Sequence, residues 1–257
     1  MNVYYYIFYS FILYSFIGWI LEVIYQLFKR RKFINRGFLY GPLCPMYGCT
    51  AVLFTLIIAP LKYNLIYIFL GGALLASAVE YITGYFLEIL FHTKWWDYSD
   101  KKMNLQGYIC IQFSIYWGLL SIIFIKAINP FVSKLVYLFI NNVNELLYNV
   151  LIIYLISDIV LTINSLIAFR KVFGELQGTI AEITESMEEL IAKTIKKENI
   201  SVLQHKLNHL SDIRERLATR VSVRHRYMFR AYPKISSKRF HAAIEDVKKR
   251  VDRKINK

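Results

Sequence analysis

Five long apolar segments constrain the fold of this chain more than any other feature. Each is near or above the roughly 20 residues that an α-helix needs to cross the hydrocarbon core of a bilayer. They are Val3–Phe28, Gly37–Ala59, Tyr63–Phe91, Leu105–Ile125 and, approximately, Leu146–Phe169. Hydrophobic residues make up 56% of the sequence and come in continuous blocks, without the alternation of a half-buried helix or strand. The sequence therefore predicts an all-α, polytopic helical membrane protein with about five transmembrane helices.

Two apolar segments need a separate interpretation. Phe131–Ile140 is too short to span a bilayer and is followed by the polar stretch Asn141–Glu145, so we interpret it as an interfacial or re-entrant helix. A sixth span is the main competing topology. The first segment lies where a signal peptide would, but it has no basic start and no cleavage motif, so we expect it to stay in the membrane.

The basic residues of the short loops predict the orientation, because Lys and Arg accumulate on the cytoplasmic side. The loops after the first and third segments hold eight basic residues, against three in the loops after the second and fourth. This asymmetry predicts a multi-pass protein of the plasma membrane with its N-terminus outside and its C-terminus in the cytoplasm.

The chain divides by composition into a transmembrane domain, residues 1–170, and a basic cytosolic helical domain, residues 171–257. Residues 170–257 hold 21 of the 32 basic residues and 11 of the 18 acidic ones. Apolar residues recur there in alternating steps of three and four, as in a coiled-coil seam. The two stripes are Leu176, Ile180, Ile183, Met187 and Leu190, then Ile200, Leu203, Leu207, Leu210, Leu217 and Val221. They predict a cytosolic α-helical hairpin; the alternative is that they pack on a second copy of the chain, giving a homo-oligomer.

Six arginines and three aromatic residues lie between Arg214 and Tyr232: Arg214, Arg216, Arg220, Arg224, Arg226, Tyr227, Phe229, Arg230 and Tyr232. A basic segment beside an anionic leaflet gains about 1 kcal/mol per Lys or Arg. No RNA- or DNA-binding signature accompanies the cluster, so we expect anionic lipid headgroups as its partner and not nucleic acid.

The familiar signatures of soluble catalysis are missing from the sequence. It has no G-x-x-x-x-G-K-[ST] loop for ATP, no G-x-S-x-G and no H-E-x-x-H. Cys44, Cys49 and Cys110 have neither the paired spacing of disulfides nor the histidine neighbours of a zinc site. The sequence predicts no cofactor and no metal, and it leaves open whether the protein is an enzyme.

Acidic residues inside the apolar segments are the main candidates for function. They are Glu22, Glu80, Glu88 and Asp158. A carboxylate near mid-membrane costs roughly 2.5–3.5 kcal/mol on insertion scales, so each is a candidate for a pore, a relay or a binding site. Small residues precede Glu80 and Glu88 at steps of four, which predicts a closely packed helix face. Arg36 is the obvious cytosolic counter-charge.

Two polar strings lie next to these acids. Asn35–Gly48 contains two prolines and three glycines, so we expect the second span to begin as a broken or re-entrant segment beside a wet cavity; the alternative is a simple kink. In Trp95–Ser99 the tryptophans suit an interfacial anchor, while Asp97 either caps a helix or closes the mouth of a polar cavity. The candidate ligand or cavity residues are Glu22, Asn35, Arg36, Glu80, Glu88, Trp96, Asp97 and Asn104.

The same strings resemble the bacterial membrane-protein family known as putative ABC-transporter type IV, or CmpB-like permeases. The resemblance covers about residues 4–130. It rests on Tyr14-Ser15-Phe16, Gly18-Trp19 with Glu22, Asn35–Leu39 with Gly41-Pro42 and Cys44-Pro45, Glu80-Tyr81 with Glu88, and Trp95–Ser99 with Asn104, Gly107 and Cys110. Membership implies a bacterial plasma-membrane protein with a permease-like role and a separate ATPase subunit as partner.

Two classes of function follow. In the first, the chain is a transport subunit whose polar cavity opens to the cytosol and is lined by Glu22, Arg36, Glu80 and Glu88, driven by a separate ATPase or by protons. In the second, it is an intramembrane enzyme or accessory factor that acts on a lipid or cell-envelope precursor through the Asp97 loop. A structural scaffold is a third alternative.

Overall fold

A computed structural model describes residues 3–31, 33–142, 145–195, 200–221 and 223–255. Within these ranges the chain is helical almost throughout, with one short antiparallel β-hairpin. The helices are α1 (Val3–Arg30), α2 (Pro45–Leu53), α3 (Leu65–Phe91), α4 (Ile111–Ile123), α5 (Asn129–Asn142), α6 (Glu145–Ile195), α7 (Ser201–Arg220), α8 (Val223–Ala231) and α9 (His241–Ile255). The strands are β1 (Asn104–Leu105) and β2 (Ile109–Cys110), and Asn104 pairs with Cys110.

Four helices are long and apolar enough to cross a membrane, which confirms the polytopic all-α class. They are Val3–Lys29, Leu65–Phe91, Ile111–Asn141 and Glu145–Thr194. The second predicted span holds a shorter apolar helix, Pro45–Leu61. Pro45 lies in the first turn of α2, where a missing N–H is tolerated, and the residues before it are not helical. The predicted broken start of this span is confirmed.

Two π-helical turns, Phe54–Ile58 and Phe124–Ile128, each end two residues before a proline. Pro60 and Pro130 cannot donate the usual backbone hydrogen bond, and their rings displace the carbonyl one turn earlier. A wider π turn absorbs this displacement, so the helix continues without a break. For this reason α4 runs through the second π turn into α5.

The interpretation of Phe131–Ile140 as a separate interfacial or re-entrant helix was wrong, because this segment lies in α5 and continues α4. Val132 and Val136, one turn apart, are almost fully buried in a cluster with Tyr9 and Tyr14 of α1. The segment therefore buries its apolar face against another helix.

Glycines allow α1 and α2 to approach each other closely. A Cβ atom on Gly48 would lie 2.1 Å from Ser15 Oγ, and one on Gly18 would lie 2.5 Å from Tyr47 Cβ. Ala51, one turn after Tyr47, joins the cluster around the first half of α1. These contacts show that α2 runs back along α1 toward the N-terminus of that helix.

The chain forms two compact units, one of residues 1–87 and 96–164 and one of residues 88–95 and 165–257. The division falls inside α6, a few residues before the boundary that composition suggested. That boundary, between residues 170 and 171, stays a prediction about the domains.

The second unit is built around a core to which α6, α7, α8 and α9 all contribute. Its buried residues are Phe169, Phe173, Leu176, Leu217, Val221, Phe229, Ile235, Phe240, Ala243, Ile244, Val247 and Val251. Leu176 and Ile180 of α6 share this core with Leu217 and Ile213 of α7, so the two predicted apolar stripes contribute to one core. Met187, further along the predicted seam, is 51% exposed, so the coiled-coil description of the whole stripe stays a prediction.

Candidate functional site

The first unit contains a cavity of about 140 Å³ between its helices. It is lined by Leu21, Met46, Tyr47, Thr50, Ala51, Phe54, Ala76, Glu80, Trp117, Leu120, Phe124 and Ile128. Most of these side chains are apolar, and among the described residues of the lining Glu80 is the one acid. The lining therefore differs from the polar cavity that the sequence predicted, and the other predicted charges are not part of it.

Glu80 is only 5% exposed and accepts two hydrogen bonds from neutral donors. The Tyr98 hydroxyl lies 3.1 Å from Oε1, and the Trp117 indole nitrogen lies 3.0 Å from Oε2. Trp117 comes from α4, and Tyr98 comes from the loop between α3 and β1. Burial, and then the nearby Glu80 carboxylate, raises the pKa of the Tyr98 phenol well above its ordinary value, so this hydroxyl remains a donor.

Glu22 forms a second polar group in the same unit. Its Oε2 accepts a charge-assisted hydrogen bond from Arg36 Nη1 at 2.7 Å, and its Oε1 accepts one from the Tyr47 hydroxyl at 2.6 Å. The Tyr47 ring meets the Trp117 ring edge-on with 6.3 Å between centroids. Tyr47 therefore links the Glu22–Arg36 pair to the Glu80 site through aromatic contact. Arg36, which the sequence suggested as a counter-charge to the acids, pairs with Glu22.

Asp158 fixes the non-helical segment before α2. Its two carboxylate oxygens accept the backbone N–H groups of Tyr40 and Gly41, each at 2.8 Å. A Cβ atom on Gly41 would lie 1.8 Å from the Tyr154 hydroxyl and 2.7 Å from Asp158 Oδ2, so a larger residue here would displace both side chains. The acid at this position therefore satisfies two backbone donors of the non-helical segment.

Asn35 has a comparable local role. Its side-chain oxygen accepts hydrogen bonds from Trp19 Nε1 at 2.7 Å and from the backbone N–H of Gly37 at 2.8 Å. The second contact is an Asx turn, in which an Asn side chain accepts a hydrogen bond from the backbone N–H two residues later. Asn35 thus attaches the segment after α1 to α1 itself.

The candidates in the loop after α3 shape that loop. Trp96 Nε1 donates to the Tyr108 carbonyl at 2.9 Å, and Asp97 Oδ1 accepts from the Ser99 backbone N–H at 3.0 Å. Asn104 donates to the Lys101 carbonyl at 2.7 Å and accepts from the Gly107 backbone N–H at 3.1 Å. Together with the β1–β2 hairpin, these contacts fix the loop that carries Tyr98.

Glu88 belongs to the second unit, where it forms an ion pair with Lys94 at 3.7 Å. It is not among the residues that line the cavity. The structure therefore brings Glu22, Arg36 and Glu80 into one aromatic-linked cluster and does not add Glu88 to it.

Three aromatic residues at the site were missed by sequence reasoning. They are Tyr47, Tyr98 and Trp117. A signal for them exists, because a buried tyrosine hydroxyl or indole N–H within an apolar segment normally has an acceptor nearby. The sequence does not reveal which acceptor each of them meets, because the three lie 18 to 37 residues from their partners.

In the described part of the chain, no group of three or more His, Cys, Asp or Glu side chains is placed to bind a metal ion. Cys44, Cys49 and Cys110 are free thiols. In the cavity lining, the Glu80 carboxylate offers a hydrogen-bond acceptor to a small molecule.

Comparison with known proteins agrees with this picture of the first unit. The sequence profile of the family described as "Putative ABC-transporter type IV" matches residues 9–163. No curated protein and no solved structure matches the chain. The matched region is more than half of the sequence and includes most of α1, all of α2 to α5, the first part of α6 and the whole cavity lining. The chain therefore belongs to the Putative ABC-transporter type IV family.

Proposed function

We propose that this protein is a permease-like transport subunit whose substrate passes through the cavity beside Glu80. One observation carries the proposal: a nearly buried carboxylate lies in the wall of an apolar cavity, held by two neutral donors from separate elements. Burying a carboxylate in an apolar segment costs free energy. Binding of a polar or cationic substrate group by that carboxylate would offset this cost. Family membership supports a transport-type role.

The cavity favours a small amphipathic substrate group. A volume of about 140 Å³ is close to that of cavities that admit benzene, so a group of about six heavy atoms fits the space. Leu21, Phe54 and Leu120 would contact its apolar part. Glu80 would accept a hydrogen bond or pair with a positive charge, and Thr50 would supply a hydroxyl.

Energy for transport would come from a separate ATPase subunit, as membership of an ABC-transporter family suggests. In the proposed orientation the C-terminal unit lies in the cytosol, where an ATPase would bind. The plasma membrane of a bacterium is the proposed location.

Blocking the cavity tests the proposal. Ala76 lines the cavity on α3, while Ala78 lies on the same helix and is exposed. In cells without the native gene, we expect one or more metabolites to change their distribution between cell and medium. Wild-type protein and Ala78→Leu should restore that distribution, whereas Ala76→Leu should not, because the added carbons fill the cavity.

Full restoration by Ala76→Leu, at equal expression, would show that substrate does not use this cavity. Chemical conversion of a lipid or envelope precursor by the purified protein, without redistribution of any compound, would replace transport with the enzyme hypothesis.

A further inference from the structure

A groove of about 420 Å³ lies on the second unit, apart from the cavity lining described above. Three of the side chains that line it are basic: Arg170 and Lys171 of α6, and Arg239 in the segment before α9. Glu175 is an acid in the same lining. Counting these four groups, the groove carries a net charge of about +2 near neutral pH.

The two arginines are fixed by contacts within the unit. Arg170 Nη1 donates to the Leu90 carbonyl at 3.3 Å, and Arg239 Nη1 lies 3.0 Å from His92 Nε2. A guanidinium has five N–H donors, so these contacts leave each arginine with donors for a ligand in the groove. Partial burial, followed by the positive charges of Arg170 and Arg239, lowers the pKa of His92. Both guanidinium groups therefore lie close enough to His92 to affect its pKa.

The other wall of the groove is apolar and exposed. Leu90 and Ile167 line it with 53% and 57% of their surfaces accessible. Both residues lie at the end of apolar sequence, since α3 ends at Phe91 and no charged residue occurs in α6 between Asp158 and Arg170. Such positions are expected at the boundary between hydrocarbon and headgroups, where basic residues and apolar side chains adjoin.

From this juxtaposition we propose that the groove is a specific site for an anionic phospholipid. The phosphate binds between Arg170, Lys171 and Arg239, and an acyl chain lies along Leu90 and Ile167. Glu175 accepts a hydrogen bond from a headgroup hydroxyl, which favours a glycerol headgroup over a second phosphate. Free phosphate would form the same ionic contacts, but it has no apolar part to contact Leu90 and Ile167. The proposal is independent of the transport function, because none of these residues lines the cavity.

The test uses the full-length protein in nanodiscs of phosphatidylcholine with a minor fraction of phosphatidylglycerol, followed by native mass spectrometry of retained lipid. We expect wild-type protein to retain phosphatidylglycerol, and Arg170→Gln with Arg239→Gln to bind it roughly 30-fold more weakly, since each basic group contributes about fivefold. Lys171→Gln alone should weaken binding roughly fivefold, and it leaves both arginine contacts in place.

Lys206→Gln with Lys249→Gln is the control, because it removes two exposed charges of the same unit that do not line the groove, and it should not reduce retention. If the control lost as much phosphatidylglycerol as the groove variants, net charge alone would explain the result and the proposed site would be refuted. Unchanged retention in both groove variants would overturn it as well.

Competition separates the two sources of phosphate. Inorganic phosphate and soluble glycerol phosphate should displace the lipid poorly, and Leu90→Asn with Ile167→Asn should weaken lipid binding without loss of thermal stability. Efficient displacement by inorganic phosphate, together with no effect of the two Asn substitutions, would assign the groove to free phosphate and refute the lipid site.

Discussion

Glu22, Glu80 and Asp158 each accept two hydrogen bonds, and at the scale of the residue the donors distinguish their roles. Asp158 binds two backbone N–H groups and so maintains a chain segment. Glu22 binds the Arg36 guanidinium, which balances its charge. Glu80 accepts hydrogen bonds from two neutral side chains, Tyr98 and Trp117, and its carboxylate lies in the wall of the cavity. Asp158 also has neutral donors, but of these three acids only Glu80 lines the cavity, so Glu80 is the one that a ligand there would meet.

Glu80→Gln should abolish function and preserve the fold. The amide oxygen of Gln accepts from Trp117, and its NH₂ group donates to the Tyr98 hydroxyl, which can accept as well as donate. We expect the free energy of unfolding in detergent to change by less than about 1 kcal/mol. Rescue of the deletion phenotype should fail, because the negative charge is gone. Full rescue at native expression would make Glu80 a packing residue.

Glu80→Leu provides the contrast in stability. It removes the acceptor of both donors at once, and a buried donor without a partner costs about 1–3 kcal/mol. Thermal unfolding should therefore shift clearly for Glu80→Leu and little for Glu80→Gln. The two variants separate loss of charge from loss of hydrogen bonding.

The sequence indicated which acids matter but not how they are paired. Burial in an apolar segment marks Glu22 and Glu80 as costly, and it does so without any knowledge of the fold. Arg36 is close enough in sequence to be predicted as the partner of Glu22. Tyr98 and Trp117 reach Glu80 only because a loop and a separate helix converge there, and a tertiary arrangement of this kind is not encoded in spacing.

At the scale of the element, proline and glycine explain most differences between the predicted and observed helices. The proline-rich string before α2 correctly predicted a broken start. The effect of Pro130 was missed: a π turn ahead of it lets α4 continue into α5, which joined two segments that the sequence had separated. Apolar length alone cannot distinguish an interfacial helix from the end of a long one.

Gly48→Ala tests the close approach of α1 and α2. The new methyl group would lie 2.1 Å from Ser15 Oγ, so we expect a loss of about 1–3 kcal/mol in the free energy of unfolding. Gly178→Ala is the control, because a Cβ atom there meets nothing within 4 Å and the helix should gain about 0.5–1 kcal/mol. A stabilising Gly48→Ala would show that the two helices are further apart than described. Thermal unfolding of the full chain in detergent measures both.

Leu203→Asp tests the packing of α7. Leu203 is 8% exposed, whereas the preceding residue Val202, also in the first turn of the helix, is 81% exposed. A charge at the buried position should cost about 2–5 kcal/mol, while Val202→Asp should stay within about 0.5 kcal/mol of wild type. Equal protease resistance of the second unit in both variants would show that α7 does not pack through Leu203.

At the scale of the whole molecule, contacts within the first unit give the direction of its helices. Lys126 Nζ donates to the Lys62 carbonyl at 2.6 Å, so the chain before α3 meets the chain after α4. The loop of residues 92–110 joins the other ends of these two helices. Lys126 itself lies in the π turn within the helix Ile111–Asn141, and not in a loop after the fourth span as the sequence suggested, so a position of Lys62 and Lys126 on the same side of the membrane stays a prediction.

The number and direction of the passes predict where reporter fusions will lie. The five predicted passes would be α1, α2, α3, α4 with α5, and α6; four of them are long and apolar enough to cross a membrane, and α2 belongs to the shorter apolar helix Pro45–Leu61. Fusions after Lys32 and Lys171 should both read as cytoplasmic, because basic loops stay on that side, and a fusion after Lys62 should read as external. Opposite sides for Lys32 and Lys171 would require six passes. The same side for Lys32 and Lys62 would mean that Pro45–Leu61 enters the membrane and returns without crossing it.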